Sequence, residues 1–263
     1  MNRGSVSGEP TLFELEGERH PAPGGGCGGT GLPGVAGLDW NALYDELNAR
    51  GVALTPPLLS REQCEELAGA FDRPGLFRSS VVMRRHGFGR GTYRYFAHAG
   101  TPDLVRALRE ELYPGLAWMA NQWAPLLGER TFPPVLDELL AECAAQGQLR
   151  PTPLLLRYGP GDYATLHQDV YGELVFPLQI AFMLNEPDTD FTGGESVFVE
   201  RRPRAQSRAV VVRPRLGQGV IFPVRHRPVR GDGGVRRCAV QHGTGEVLSG
   251  RRNVLGVIFH NAR

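Results

Sequence analysis

The chain has 263 residues with 29 basic and 28 acidic side chains, a formal charge of +1, which suits one large or two small domains around a real core. Near-neutrality argues against a generic polyanion-coating protein, without fixing how the charge is distributed. All the basic residues are arginine, so chemistry built on a lysine Schiff base or a P-loop lysine is excluded.

Residues 1–38 are rich in Gly, Pro, Ser and Glu, including the run Gly24-Gly25-Gly26-Cys27-Gly28-Gly29. Such a stretch buries too little apolar surface to offset its ordering entropy and reads as a flexible tail. Its opening, MNRGSVSGEP, has no apolar segment, and the chain has no run of ~18 apolar residues. Cys27, Cys64, Cys143 and Cys238 form no CxxC pair, which disfavours a thiolate zinc site or a disulfide scaffold. The expectation is a soluble cytoplasmic protein with reduced thiols and no membrane partner.

Order is expected from Asp39, which can cap a helix carrying Trp40, Leu43, Tyr44 and Leu47. Gly51–Leu54 then reads as a short strand. Ser60 and Gln63 form a capping box for a second helix with Cys64, Leu67, Ala68 and Phe71 on one face. The segment Arg84–Phe96 mixes arginine, aromatics and glycine, and suits either the lining of a substrate entrance or a solvated hairpin. A third helix is expected from Pro102 to about Trp123, because Leu104, Leu108, Leu112 and Leu116 recur every four residues. Pro133-Pro134 interrupts the pattern, and Val135–Ala145 resumes it.

After Pro153 come short apolar runs punctuated by Gly, Pro and Asp: 154–158, 174–184, 196–200, 209–213, 219–224, 235–241 and 253–259. They read as an all-β unit of seven or eight strands. The fold class is therefore α+β, mainly β, with helices over 39–150 leading into a β unit over 151–263, as one domain over 39–263.

Within Tyr163-Ala-Thr-Leu-His167-Gln-Asp169, an extended backbone puts His167 and Asp169 on one face. An imidazole and a carboxylate at i and i+2 are two-thirds of a facial triad that holds Fe(II) and leaves positions open. HxD alone is weak, but His242 follows a predicted strand at a distance suited to a third ligand. Arg252 opens the last strand and shares its phase with Val254, Gly256 and Ile258, the glycine leaving room for a bound molecule. A buried arginine there can grip a carboxylate through two parallel hydrogen bonds.

His167-x-Asp169, then His242, then Arg252 resembles the iron(II)/2-oxoglutarate-dependent dioxygenases, nearest their prolyl 4-hydroxylase-like branch. Tyr158-Gly-Pro-Gly-Asp-Tyr163, Leu184-Asn185-Glu186 and Gly193-Gly194-Glu195 resemble that family's turns around the metal strand. The resemblance covers residues 150–263 strongly and 39–75 weakly. It implies a double-stranded β-helix, or jelly roll, with His167, Asp169 and His242 as catalytic metal ligands for Fe(2+). Arg252 would hold the distal carboxylate of 2-oxoglutarate, with Arg251 as its competitor and Tyr158 as a hydroxyl partner. O2 is the second cosubstrate, and ascorbate a candidate accessory reductant. Asp169 stands where related halogenases have a small residue, which favours hydroxylation of a C–H bond, with succinate and CO2 as co-products.

The expected substrate is a peptide, an amino acid or a small metabolite. Eleven arginines and one acid between Arg201 and Arg237 allow for an anionic substrate, although solvated outward arginine is the simpler reading. A first alternative is an AlkB-like demethylase of alkylated nucleic acid, because Arg157-Tyr-Gly-Pro-Gly and Leu-His-Gln-Asp169 resemble that metal strand too. Such enzymes carry a second arginine where this chain has Val257 or Ile258, so nucleic acid is disfavoured as a partner. A second alternative is a non-enzymatic, cupin-like metal-binding protein, which has no need of Arg252.

Overall fold

A computed structural model describes Ala22 and residues 32–202, 206–231 and 234–263. The expected tail over 1–38 lies outside the described residues, apart from Ala22 and 32–38. A helical turn, α1 (Pro33–Ala36), buries Val35, and Leu38 is buried behind it.

Helix α2 (Trp40–Arg50) starts where Asp39 accepts a hydrogen bond from the Ala42 N–H, and ends at Gly51 in the left-handed region. Strand β1 (Ala53–Pro57) follows, slightly later than expected. Helix α3 (Arg61–Ala70) begins with the full Ser60–Gln63 capping box. Strands β2 (Phe77–Val82), β3 (Gly89–Arg90) and β4 (Thr92–Phe96) come next. Helix α4 (Asp103–Leu127) runs through Pro114 and Pro125 and stops at Gly128, whose φ is 62°. It outlasts the expected end near Trp123. Helix α5 is Leu136–Ala145.

The β unit contains β5 (Leu154–Tyr158), β6 (Tyr163–His167), β7 (Leu178–Met183), β8 (Phe191–Gly193) and β9 (Ser196–Arg201). It continues with β10 (Arg208–Val212), β11 (Gln218–Pro223), β12 (His226–Gly231) and β13 (Gly234–Thr244). Strands β14 (Val247–Gly250) and β15 (Arg252–Val257) complete it. Among the described residues, the larger sheet has the order β1-β11-β7-β15-β5-β4-β2. The second has the order β10-β9-β13-β6-β3, with β12 on the first half of β13. Pairing within both is antiparallel.

The larger sheet is apolar on both faces, which explains why its central strands read as unbroken hydrophobic runs. Leu155, Phe182, Leu255 and Val257 join the principal core with Leu47, Leu108, Leu112 and Leu116 from the helices. Val220 and Phe222 of β11 meet Phe198 of β9 and Val210 and Val212 of β10, so the two sheets face one another. The alternate residues Leu156, Tyr158, Arg252 and Val254 turn toward a cavity between the sheets.

Candidate metal centre

A turn built from Gly159–Asp162 delivers the chain into β6. The Asp162 carboxylate accepts the Gly159 N–H at 2.9 Å, and Gly161 adopts a φ of 80°. Strand β6 then pairs with β13 so that His167 stands directly opposite His242, their ring centroids 4.2 Å apart. Asp169 follows two residues on, as the alternation requires. Its Oδ2 is 3.2 Å from His242 Nε2, and its Oδ1 is 3.7 Å from His167 Nε2. One ligand atom from each of the three residues lies within 4.8 Å of the others. Two imidazole nitrogens and a carboxylate oxygen at this separation fit a divalent first-row metal.

Each ligand is oriented by a neighbour. The His167 Nδ1 lies 2.8 Å from the Thr165 carbonyl, which fixes the proton there and leaves Nε2 free to ligate. The His242 ring is held by packing, with Phe222 at 4.8 Å and Phe198 at 6.5 Å between centroids. The Asp169 carboxylate accepts from the Tyr171 hydroxyl at 2.5 Å and from Gln179 Nε2 at 3.0 Å. Burial raises the Asp169 pKa, yet the facing His242 and His167 imidazoles and the Tyr171 hydroxyl hold it well below the usual carboxylate range. Burial, reinforced by His242, lowers that of His167. Neutral pH therefore presents an ionised carboxylate and a neutral His167, the forms a metal needs.

Arg252 lies in the same cavity, 3% exposed. Strand register sets it opposite Tyr158, and its guanidinium carbon is 5.5 Å from the centre of that ring. Its Nη2 donates to Ser196 Oγ at 3.1 Å, while Nε is buried without a partner. Among the described residues no carboxylate forms an ion pair with it. Burial draws the Arg252 pKa down to about 10, so it stays cationic at neutral pH. Burial likewise pushes the Tyr158 hydroxyl up to about 12. A buried cation with spare donors is a site for an anion, a carboxylate matching its planar fork.

Arg251 points the other way. It is exposed, and its backbone N–H donates to the Asp190 carbonyl. The structure thus brings His167, Asp169, His242, Tyr158 and Arg252 together and leaves Arg251 outside. Gly256 does line the cavity, but a Cβ there would meet Leu154 Cδ2 at 2.7 Å, so the missing side chain admits Leu154 rather than a ligand. Gly194 carries an unexpected burden: its φ is 63°, and an added Cβ would lie 2.9 Å from Arg252 Cδ.

The cavity, about 240 Å³, is otherwise largely apolar, with Met83, Phe88, Tyr93, Tyr95, Leu156 and Met183 in its wall. The segment around Arg84–Phe96 is therefore a hairpin, β2 with β4, that also supplies cavity wall. Tyr171 and Gln179 escaped the sequence reading. Gln179 carried a legible signal, a lone amide inside the apolar run Leu178–Met183. His260 is fully buried and accepts the Phe176 N–H at Nδ1.

A family profile described as "Oxygenase, catalysing oxidative methylation of damaged DNA" matches residues 91–262. Two uncharacterized proteins from strains of Mycobacterium tuberculosis are each 48% identical over 160 residues, 60% of this chain and 69% of theirs. Among solved structures, a Pseudomonas putida prolyl-4-hydroxylase aligns with a TM-score of 0.52 at 17% identity, over 85% of this chain and 99% of that one. The non-heme alpha-ketoglutarate-dependent epimerase SnoN of nogalamycin biosynthesis also aligns at 0.52, with 16% identity over 82% of this chain and 81% of that one.

Proposed function

We propose, from the premise that the chain belongs to the Oxygenase-NA family and has the fold of the iron(II)/2-oxoglutarate oxygenases, that it is a dioxygenase hydroxylating a C–H bond. One observation carries this reading: the His167–Asp169–His242 cluster and the unpaired, buried Arg252 open into a single cavity. When bound, iron(II) supplies the redox chemistry with O2 that turns 2-oxoglutarate into succinate and CO2 as the substrate is oxidised.

The chain's own residues then have distinct tasks. His167, Asp169 and His242 would hold the metal. Tyr171 and Gln179 orient the Asp169 carboxylate. Arg252 takes the distal carboxylate of 2-oxoglutarate, with Ser196 and Tyr158 beside it. Met83, Leu156 and Met183 keep water from the reacting centre. The two facing sheets are read as a double-stranded β-helix under an N-terminal helical layer, one domain over 39–263. Ascorbate would serve as an accessory reductant.

For the substrate, a peptide, amino acid or small metabolite remains the reading from the sequence. A second is favoured by the family's description, which names damaged DNA: hydroxylation of a methyl group on a nucleobase is the same C–H chemistry. A cupin-like binding protein is disfavoured, because a buried unpaired arginine has no role in it.

Purified protein supplied with Fe(II), O2 and 2-oxoglutarate should release succinate, measured by mass spectrometry, with slow turnover even without substrate. Asp169→Ala should lose Fe(II) binding and succinate release together. Wild-type protein that neither binds nor consumes 2-oxoglutarate would overturn the reading.

A further inference from the structure

Most polar side chains in the cavity wall already have a partner. Tyr171 and Gln179 donate to the Asp169 carboxylate. Gln168 Nε2 donates to the Arg225 and Val240 carbonyls, at 3.0 and 2.8 Å. Ser196 accepts from Arg252, the Thr244 hydroxyl bonds that of Tyr158, and the Tyr95 hydroxyl bonds that of Tyr171. Among the described residues, Arg252 is the only arginine and Asp169 the only carboxylate in the wall. On the oxygenase reading the metal takes Asp169 with the two histidines, and the cosubstrate takes Arg252. No charged group is then left for a substrate.

One hydroxyl remains free. Tyr93 and Tyr95 share a face of β4, opposite Leu156 and Leu154 of β5. Among the described residues nothing hydrogen-bonds to the Tyr93 hydroxyl. Burial and then the Asp169 charge raise its pKa, so it is a neutral donor on the metal's side of the cavity. The rings beside it are held in place. Tyr93 meets Tyr95 edge-on, with centroids 5.5 Å apart and planes at 83°. Tyr95 packs on Tyr171 at 6.1 Å and carries the Arg78 guanidinium 4.6 Å from its centre. Met83, Leu156, Met183 and Val254 supply apolar wall, which reaches solvent at Phe88, 49% exposed.

We infer that the substrate of this site is an uncharged, largely apolar small molecule, whose ring enters the cavity and carries one oxygen that accepts a hydrogen bond from Tyr93. The inference rests on the oxygenase reading, which commits the charged groups elsewhere, and it narrows the substrate to a small metabolite of this chemistry. An ion entering the wall gives up its hydration and finds no counter-charge. A free amino acid brings two such charges. A peptide backbone or a nucleobase edge brings several polar groups to a wall with one free hydroxyl, and each one buried without a partner is penalised. An apolar ring with a single oxygen meets both parts of the wall. The cavity of about 240 Å³ also has to hold the cosubstrate, so the part of the substrate inside it is small.

The test is isothermal titration of the full chain, saturated with Mn(II) and 2-oxoglutarate so that Arg252 is occupied. The probes share one ring: para-cresol, para-methylbenzoate, para-methylbenzylammonium and toluene. para-Cresol should bind, and the two ions should bind at least about 10-fold more weakly. Tyr93→Phe should weaken para-cresol by about 3- to 10-fold, the usual worth of one hydrogen bond, and leave toluene unaltered. Tyr93→Ala removes part of the apolar wall and should weaken both. Absent para-cresol binding, an ion bound as tightly, tighter binding of L-proline or adenine, or a Tyr93→Phe variant that keeps full affinity for para-cresol would overturn the inference. Titration of 2-oxoglutarate into the Mn(II) protein, measured separately, tells that failure from a failure of the oxygenase reading.

Discussion

A strand turns successive side chains to opposite faces, so one step of phase separates Arg252, buried against Tyr158, from exposed Arg251. On the proposed function, the same step decides which of them would meet a cosubstrate. Arg252→Ala removes a buried cation from a carboxylate, a change that costs about 2–5 kcal/mol, or at least ~30-fold in the Kd for 2-oxoglutarate. Arg251→Ala should leave that Kd unaltered. Isothermal titration of both variants in the presence of Mn(II) would decide, and the reverse result would move the carboxylate site to the outer face. At this scale the sequence carried much of the site, because ligand type, spacing and strand phase are all one-dimensional. It did not show the roles of Tyr171 and Gln179, although Gln179 stands out as a lone amide in an apolar run. Their role depends on how the chain turns back after Asp169, and only β7 packed beneath the cluster brings Gln179 within 3.0 Å.

Of the strands legible as apolar runs, β5, β7, β11 and β15 are covered on both faces by helices and by the second sheet, whereas β9, β10 and β13, legible too, belong to the second sheet. Those that were not are edge strands or partly solvated ones. β12 contains Pro228 and three charged or titratable side chains, and β3 is only two residues long. Turns between elements can matter as much as strands, as the pair Gly193-Gly194 shows. Both have positive φ, and the second also lies against the stem of Arg252. Gly194→Ala should cost about 1–2 kcal/mol for the left-handed backbone and, in addition, push Arg252 aside and raise the Kd for 2-oxoglutarate. Gly87→Ala is the matched control: its φ is 72°, but open space surrounds the new Cβ. It should lose similar stability in urea unfolding and leave 2-oxoglutarate binding intact. Equal cosubstrate binding in the two variants would separate the glycine from the arginine.

Over the whole molecule, net charge conceals a pattern of local pairing around buried polar centres. Glu200, 1% exposed, receives Arg227 at 2.5 Å and Arg202 at 3.0 Å, and Arg227 also donates to the Asn48 carbonyl, tying α2 to the second sheet. No helix of the described residues is long and apolar enough to cross a membrane. The buried histidine His260 couples this compact interior to pH. Its Nδ1 must stay unprotonated to accept the Phe176 N–H, and burial lowers its pKa from 6.5 to about 4. Between those values the unfolded chain binds a proton that the folded chain refuses. Stability therefore rises with pH across the window and falls as acid is added, by about 3 kcal/mol in total at ~1.4 kcal/mol per pH unit. Below about pH 4 both states are protonated and this contribution stops changing. Urea midpoints of the metal-free protein at successive pH values should fall through that range. His260→Gln keeps an acceptor for Phe176 but no titrating ring, so its midpoint should fall less steeply. An identical slope in both proteins would assign the acid sensitivity to other groups, His167 and His226 first, since burial lowers their pKa values as well.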